Sequence, residues 1–409
     1  MSAPFRFLHA SDFHLDRPPR GLVEVPDHLR AALVDAPYRA AERVFDAALQ
    51  ERVDFVVLSG DLVDPVLAGP RGLVFLDEQF ERMAQRGVGV YWALGRSDRL
   101  GPWSEAWPLA RGVVRFADNH VERVVHCRGE EPLALVVGTS AAERKRIRLS
   151  QFETHDPGLF VVATAHGAAD ADALARLGVD YWALGGEHDR RAVLTGEVVA
   201  HYCGSPQGRR PQETGSHGCT LVQVDEERRI RTSFIPTDAV RYLSERVAVN
   251  ETTTPDQLRQ IIDERVAELA TDPFGPDLLI EWNVAGSKAL SAELRRGKLA
   301  ADLVARLRSD HALRKPAVWS IAIAGEAPCA VPPESYEEQS LLGEFLRRLQ
   351  YYVDHPDEPL DFEPYLPARL AAGSMATTVS LDEPAQRRRI LDEAARLGVE
   401  LLSPQEPRP

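Results

Sequence analysis

From Phe5 to about Pro236 the chain alternates short apolar runs with amphipathic stretches, and that alternation restricts it to an α/β layer fold. Phe5 to Ala10, Asp54 to Ser59, Val88 to Leu94, Leu133 to Gly138, Leu159 to Ala165 and Asp180 to Leu184 read as strands. Between them, Tyr38 to Glu51 places Ala41, Val44, Phe45, Ala48 and Leu49 at helical spacing, and Gly72 to Gln85 follows the same pattern. From Val198 onward strand-like runs dominate, which suggests a second sheet.

Open α/β sheets place their sites in the crevice beyond the carboxyl ends of the strands. Here those ends are polar. The first run leads into Asp12-Phe13-His14, the second into Gly60-Asp61 and the third into Gly95-Arg96-Ser97-Asp98. Later runs lead into His166-Gly167 and Gly185-Gly186-Glu187-His188. Each motif alone reads as a cap or a satisfied loop residue. Arriving at one edge, two carboxylates and three imidazoles form a mixed nitrogen and oxygen donor set. That set suits Mn²⁺, Fe²⁺ or Zn²⁺, whereas purely oxygen ligation would suit Mg²⁺ or Ca²⁺. The adjacent glycines let the backbone turn sharply or approach a ligand.

The order DxH, GD, GxxD, H and GxxH resembles the calcineurin-like metallophosphoesterase superfamily, and within it the SbcD/YhaO branch of DNA-repair exonucleases. His9 to Asp16, Gly60 to Asp64, Cys203 to Arg209, Glu213-Thr214-Gly215 and Gly218-Cys219 carry the resemblance further. It covers residues 5 to 236 strongly and the remainder only in layout. It implies a four-layer α/β/β/α domain over residues 1–240 and a smaller α/β capping or DNA-binding domain over 241–330. A helical tail with an acidic, Pro-rich linker follows over 331–409.

The resemblance also implies that Asp12, His14 and His188 hold one metal, that Asp61 bridges to a second, and that His166 belongs to that second ion. Mn²⁺ is the ion expected. Two family positions differ: GNHD reads Gly95-Arg96-Ser97-Asp98, and GHxH reads Gly185-Gly186-Glu187-His188. The second ion thereby loses two of the four protein ligands the resemblance implies, and the proton donor is gone, so one ion is expected. Arg96 would then lie in or beside the second position, paired with Asp61 and replacing part of the missing charge. Ser97 would hydrogen-bond a phosphate oxygen, although it is a poor general acid. Asp98 completes the expected catalytic group, with Glu187 as an alternative replacement for the lost imidazole. Arg190 and Arg209 are expected to contact substrate phosphates.

Past residue 240, Thr254-Pro255 signals a helix start and Leu278 to Val284 a strand. Ala289 to Leu307 reads as one helix and Ala317 to Ala324 as another strand. Tyr336 to Tyr352 carries Leu341, Leu342, Phe345, Leu346 and Leu349 in a stripe that either packs on its own chain or docks on a partner. A last helix is expected around Pro384 to Leu397.

With 62 acidic against 48 basic residues the net charge is −14, so binding nucleic acid through an overall basic surface is excluded and any DNA contact must be local. Local basic clusters stand at Arg144 to Arg148 and at Arg190-Arg191, while Arg387 to Arg389 read as a solvated helix face. Cys127, Cys203, Cys219 and Cys329 lack CxxC spacing and read as buried thiols. No apolar stretch has the length of a signal peptide or membrane span, so a cytoplasmic protein is expected. The expected activity is Mn²⁺-dependent exonucleolytic hydrolysis of DNA, with an SbcC-like coiled-coil ATPase as partner and room for a homodimer. The rival reading is a catalytically degenerate subunit that binds DNA ends or that partner.

Overall fold

The computed structural model describes residues 3–22, 24–141, 147, 149–154, 158–326, 331–358, 360 and 384–402. Two compact units divide the chain: Met1–Glu245 with Asp263–Glu281 and Arg306–Ile321, and Arg246–Ile262 with Trp282–Ala305 and Ala322–Pro409.

In the first unit, period-two alternation decides how the layers stack. In β1 (Phe5–Ala10), Phe5 and Phe7 enter one buried cluster while Leu8 and Ala10 enter another. After α1 (Asp27–Gln50), β2 (Phe55–Leu58) repeats the division, Phe55 and Val57 joining the first cluster and Val56 and Leu58 the second. α1 and α2 (Gly69–Gln85) close the second cluster with Val44, Phe45, Leu76 and Phe80. β3 (Gly89–Trp92), α3 (Pro102–Ala106) and β4 (Val113–Arg115) follow.

The facing sheet is built from β5 (Glu122–Arg128), β6 (Glu131–Gly138), β7 (Phe160–His166), α4 (Ala171–Leu174), β8 (Tyr181–Gly185), β9 (Arg191–Leu194) and β10 (Val199–Tyr202). Its order is β5-β6-β7-β8-β10-β9, with β6, β7, β8 and β10 parallel. Val136, Val162 and Tyr181 meet the phenylalanines of β1 and β2 between the sheets. Leu135, Val161 and Trp182 face the other way, under Phe152 and Leu174. The four expected layers are thus present, although α4, on the outer face of this sheet, is only four residues long.

β11 (Gly218–Val224) and β12 (Ile230–Pro236) correct the expectation that a second sheet starts near Val198. That sheet already begins at β5, and β11 pairs antiparallel with β1, giving the first sheet the order β12-β11-β1-β2-β3-β4. The cause is the alternation in β11, which sends Leu221 to the helix side and Val222 to the intersheet side. α1 is also longer than expected and continues through Pro37 back to Asp27. Its early turns have their own apolar face, because Leu29, Leu33 and Ala36 bury with Tyr242 and Trp319.

Further along, β13 (Val240–Ala248), β14 (Asp277–Ala285) and β15 (Val318–Gly325) form a three-stranded sheet in that order. α5 (Pro255–Leu269) starts at the Thr-Pro signal. The single helix expected over 289–307 is instead α6 (Lys288–Arg295) and α7 (Lys298–His311), separated where Gly297 adopts φ +88°.

In the second unit, α8 (Leu341–Asp354) buries Leu342 and Leu346 with Ala395 of α9 (Pro384–Leu402), and Phe345 and Leu349 pack against them, so all of the stripe but exposed Leu341 is covered by its own chain. Arg387 is buried rather than solvated, donating to the carbonyls of Tyr352 and Glu358. Cys203 and Cys219 are buried as expected, but Cys127 is exposed. Cys329, the Arg144-Lys145-Arg146 cluster and Arg148 lie outside the described residues. Among the described residues no helix is long and apolar enough to cross a membrane.

Candidate metal centre

Because β1 and β2 run parallel, the loops leaving their carboxyl ends lie side by side and are stitched by main-chain hydrogen bonds. The N–H groups of Asp12, His14 and Leu15 donate to the carbonyls of Gly60, Asp61 and Leu62 at 2.8, 3.1 and 3.0 Å. Asp12, His14 and Asp61 all adopt positive φ, at 57°, 46° and 56°. For residues with a Cβ this conformation costs roughly 1–2 kcal/mol each, so local strain is concentrated where the side chains converge. Gly95 is required opposite them, since a Cβ there would lie 2.3 Å from Asp61 Oδ1.

The converging atoms lack ordinary partners. Asp12 Oδ2 accepts from Ser11 Oγ at 2.6 Å and from the Gly186 N–H at 2.9 Å, but buried Oδ1 has no hydrogen-bond partner. Both ring nitrogens of buried His14 are likewise without one, as is His166 Nε2. His166 Nδ1–H donates to the Ser59 carbonyl at 2.9 Å, which turns Nε2 to within 3.4 Å of Asp61 Oδ2. His14 Nε2 lies 3.8 Å from Asp12 Oδ1 and 3.9 Å from Asp61 Oδ2. Two donor groups result, Asp12–His14–His188 and Asp12–Asp61–His166, each with ligand atoms within 4.8 Å of one another. Buried polar atoms are ordinarily satisfied, so this shared set of orphaned nitrogens and oxygen fits a divalent cation.

Charge within the site is finely divided. Burial and the neighbouring Arg209 push His14 down to about 2, so it stays neutral. Burial also disfavours a charged His166, but the Asp61 carboxylate 3.4 Å from its Nε2, with the charge of Asp12, raises it to about 9. Burial raises Asp12.

His188, half-buried, is held from two sides. Its Nδ1 lies 3.2 Å from Glu213 Oε1, while Arg209 Nη2 approaches Nε2 at 2.8 Å. A carboxylate only accepts and a guanidinium only donates, so the partners assign Nδ1–H to Glu213 and an Nε2 lone pair that accepts from Arg209, a bond that a cation at Nε2 would have to displace. Glu213 also accepts from the Arg209 N–H at 2.7 Å. Glu213 is therefore a site residue missing from the expected set, although its Glu-Thr-Gly motif was a signal.

Several expected roles change. Asp98 is fully buried and accepts from the N–H groups of Gly95, Asp61 and Leu62 at 2.5, 3.2 and 2.9 Å. Both its oxygens brace the loops, so it is a positioning residue and not a catalytic one. Burial, followed by the charge of Asp61, raises it to about 7. Arg96 does not pair with Asp61, whose Oδ1 accepts the Ser97 N–H at 2.7 Å and whose Oδ2 faces the imidazoles. Arg96 is exposed instead on the wall of a cleft of about 370 Å³, with Ser97 beside it. His14, Asp61 and His188 also line this cleft, and Arg209 lines it as expected. Arg190 does not line it, its guanidinium lying 5.4 Å from the Phe234 ring centroid. Glu187 is held by Arg191 at 2.6 and 2.9 Å, so it does not replace an imidazole. A Cβ on Gly186 would lie 3.1 Å from His166 Nε2.

Metal removal is expected to lower thermal stability. At a hundredfold excess over Kd a cation contributes about 2.7 kcal/mol. For a chain of 409 residues that corresponds to roughly 3 °C in Tm, measurable by calorimetry with chelator and with added Mn²⁺. Identical Tm values in the two conditions would contradict the assignment of these donors.

Residues 5–190 match the calcineurin-like phosphoesterase family. Over 285 residues, 66% of this chain and 69% of the other, the sequence is 28% identical to the uncharacterized metallophosphoesterase YhaO of Bacillus subtilis (strain 168). Among solved structures, it is similar to a dimetal phosphatase from Danio rerio, with 13% identity, 57% of this chain and 96% of that one covered, and a TM-score of 0.38. It is also similar to GAP50, the anchor in the inner membrane complex of Plasmodium, with 13% identity, coverages of 58% and 85%, and a TM-score of 0.34. Every donor of the two groups above lies within residues 5–190, the stretch that matches the calcineurin-like phosphoesterase family.

Proposed function

We propose that the chain is a Mn²⁺-dependent phosphodiesterase acting on DNA ends. The observation that carries this reading is the set of orphaned buried donors, Asp12 Oδ1, both nitrogens of His14 and His166 Nε2, behind an arginine-bearing cleft that His14, Asp61 and His188 line. The family binds divalent metals; the mixed nitrogen and oxygen set favours Mn²⁺, Fe²⁺ or Zn²⁺ over Mg²⁺. When bound, the ion supplies Lewis-acid polarisation of a phosphoryl oxygen and an acidified water. The chain's own part is positional and electrostatic. Asp12, His14, His188, Asp61 and His166 hold the cation, Glu213 fixes the tautomer of His188, and Arg209 presents a guanidinium to the phosphoryl oxygens. The DNA specificity and an SbcC-like ATPase partner rest on the sequence resemblance.

A second reading, a degenerate subunit that binds DNA ends without cutting them, is favoured by one observation. The loop after β3 offers Arg96 and Ser97 to the cleft and no imidazole to protonate a leaving group.

An exonuclease assay on linear duplex DNA with Mn²⁺ separates the two. Nucleotide release by the parent that Asp61→Ala reduces at least a hundredfold is expected. Equal release by both proteins would reject the site, and no release by either, with DNA still bound, would favour the binding subunit. Turnover of bis(p-nitrophenyl) phosphate without release from DNA would point to a small-substrate phosphodiesterase.

A further inference from the structure

Resting on the phosphodiesterase reading, we propose that Arg17, Arg20 and Arg210 form a second phosphate subsite beside the metal centre, so that the favoured substrate carries a phosphate adjacent to the scissile one. All three line the same cleft as His14, Asp61 and His188. None of them belongs to the donor groups, and none bears on holding a cation.

Their placement is built into the backbone. The Arg17 N–H donates to the His14 carbonyl at 2.8 Å, which ties this arginine to a ligand loop. Its Nε donates to the buried carboxylate of Asp16 at 3.0 Å, which fixes the direction of the guanidinium. The Arg20 N–H donates to the Arg209 carbonyl at 2.7 Å, and Tyr242 Oη donates to the Arg20 carbonyl at 2.7 Å. Two arginine-bearing loops, 17–20 and 209–210, are thereby joined along one wall. A Cβ on Gly21 would lie 2.7 Å from the Pro211 ring, so the junction needs a glycine.

Charge balance separates Arg20 and Arg210 from other arginines on the protein, Arg17 being matched by Asp16 at 3.0 Å. The chain is acidic, and elsewhere arginines such as Arg71, Arg191 and Arg229 are matched by carboxylates at 2.6 to 2.7 Å. Arg20 and Arg210 are exposed and, among the described residues, form no ion pair. The carboxylate of Asp64 also lines the cleft, but its Oδ1 accepts from the N–H groups of Val66 and Leu67 and caps its own turn. Arg209, buried, has an Nε with no hydrogen-bond partner. Unmatched positive charge beside a metal centre, in a chain of net charge −14, calls for a ligand with more than one phosphate. Each guanidinium presents a donor fork suited to phosphate oxygens.

The test compares three short substrates with Mn²⁺: TpT, which has one phosphodiester, and pTpT and TpTp, which add a phosphate on one side or the other. Hydrolysis and equilibrium binding are both measured. The parent is expected to prefer pTpT or TpTp over TpT by about tenfold or more, a factor that one charge-assisted contact can supply. Arg20→Gln/Arg210→Gln should bring that ratio to within about threefold of unity. Arg229→Gln, which alters an arginine paired with Asp225 and Glu227, should leave the ratio as in the parent. Equal use of all three substrates by the parent, or an unchanged ratio in the double variant, overturns the subsite. If no substrate is hydrolysed, the phosphodiesterase reading fails, and the binding ratio alone then upholds or rejects the subsite.

Discussion

Asp12→Asn is expected to lower metal-dependent hydrolysis by on the order of a thousandfold or more, beyond the roughly 10–100-fold typical of groups that only support a ligand. Asp12 is common to both donor groups, so a single substitution weakens each of them. An amide can still accept through one oxygen from Ser11 Oγ and the Gly186 N–H, which preserves the local hydrogen bonds. Its NH₂ would then stand where unpartnered Oδ1 now faces His14 Nε2 at 3.8 Å, presenting donor hydrogens to a cation. Stability should move the other way in chelator. Burial raises Asp12, with the nearby charge of Asp61 adding to the shift and His166 opposing it. A carboxylate raised on folding loses stability as pH climbs from its unfolded value through its folded one, and an amide does not titrate. Metal-free Asp12→Asn should therefore melt at or above the parent temperature at pH 8, with the advantage shrinking towards pH 4. A variant that keeps its metal-dependent activity, or that melts well below the parent in chelator at pH 8, would contradict a shared, charge-bearing ligand.

The donors were legible because Asp12, Asp61, His166 and His188 each follow an apolar run, and parallel sheets deliver such residues to one end. What the sequence could not encode is direction. Asp98 stands in the same kind of position, yet its carboxylate turns back to three main-chain N–H groups. Arg96 stands where a pairing with Asp61 was expected, but the Ser97 N–H already holds that carboxylate. Arg17, Arg20, Arg210 and Glu213 lie in loops without periodicity, and only the main-chain bond between Arg20 and Arg209 reveals that two of these loops share a wall. Sheet membership is similarly hidden. The alternation of β11 marks it as a strand buried on both faces but does not say that its neighbour is β1, more than two hundred residues earlier. The break between α6 and α7 rests on one left-handed glycine inside an otherwise continuous helical pattern.

Gly185→Ala is expected to damage the fold and the metal centre together, because at this end the two sheets meet through their smallest residues. A Cβ at Gly185 would lie 1.9 Å from the Ser59 carbonyl oxygen and 2.8 Å from its carbon, contacts that only main-chain movement can relieve. Ser59 is fixed in turn. Its Oγ donates to the Ala183 carbonyl at 3.0 Å and lies 3.1 Å from both Thr164 Oγ1 and His9 Nε2. Deeper in the sandwich the spacing is filled by aromatic rings, with Phe7 stacked on Phe55 at 4.9 Å and edge-on to Tyr181 at 5.1 Å. The narrowing towards the site is what lets Asp61, from the first sheet, and His166, from the second, come within 3.4 Å. Separating the sheets here should cost about 3 kcal/mol, at the upper end for an overpacked methyl group. For a chain of 409 residues that is roughly 3–4 °C in Tm. The same Ser59 carbonyl accepts from His166 Nδ1, so its displacement should also weaken Mn²⁺ binding by about tenfold or more, as loss of a supporting partner does. Gly87→Ala is the control: Gly87 has φ +71° and nothing within 4 Å of its Cβ position, so only the left-handed cost of about 1–2 kcal/mol applies and metal affinity should stay as in the parent. If calorimetry and metal titration show Gly185→Ala binding Mn²⁺ like the parent, the close approach of the sheets is not what aligns His166 with Asp61.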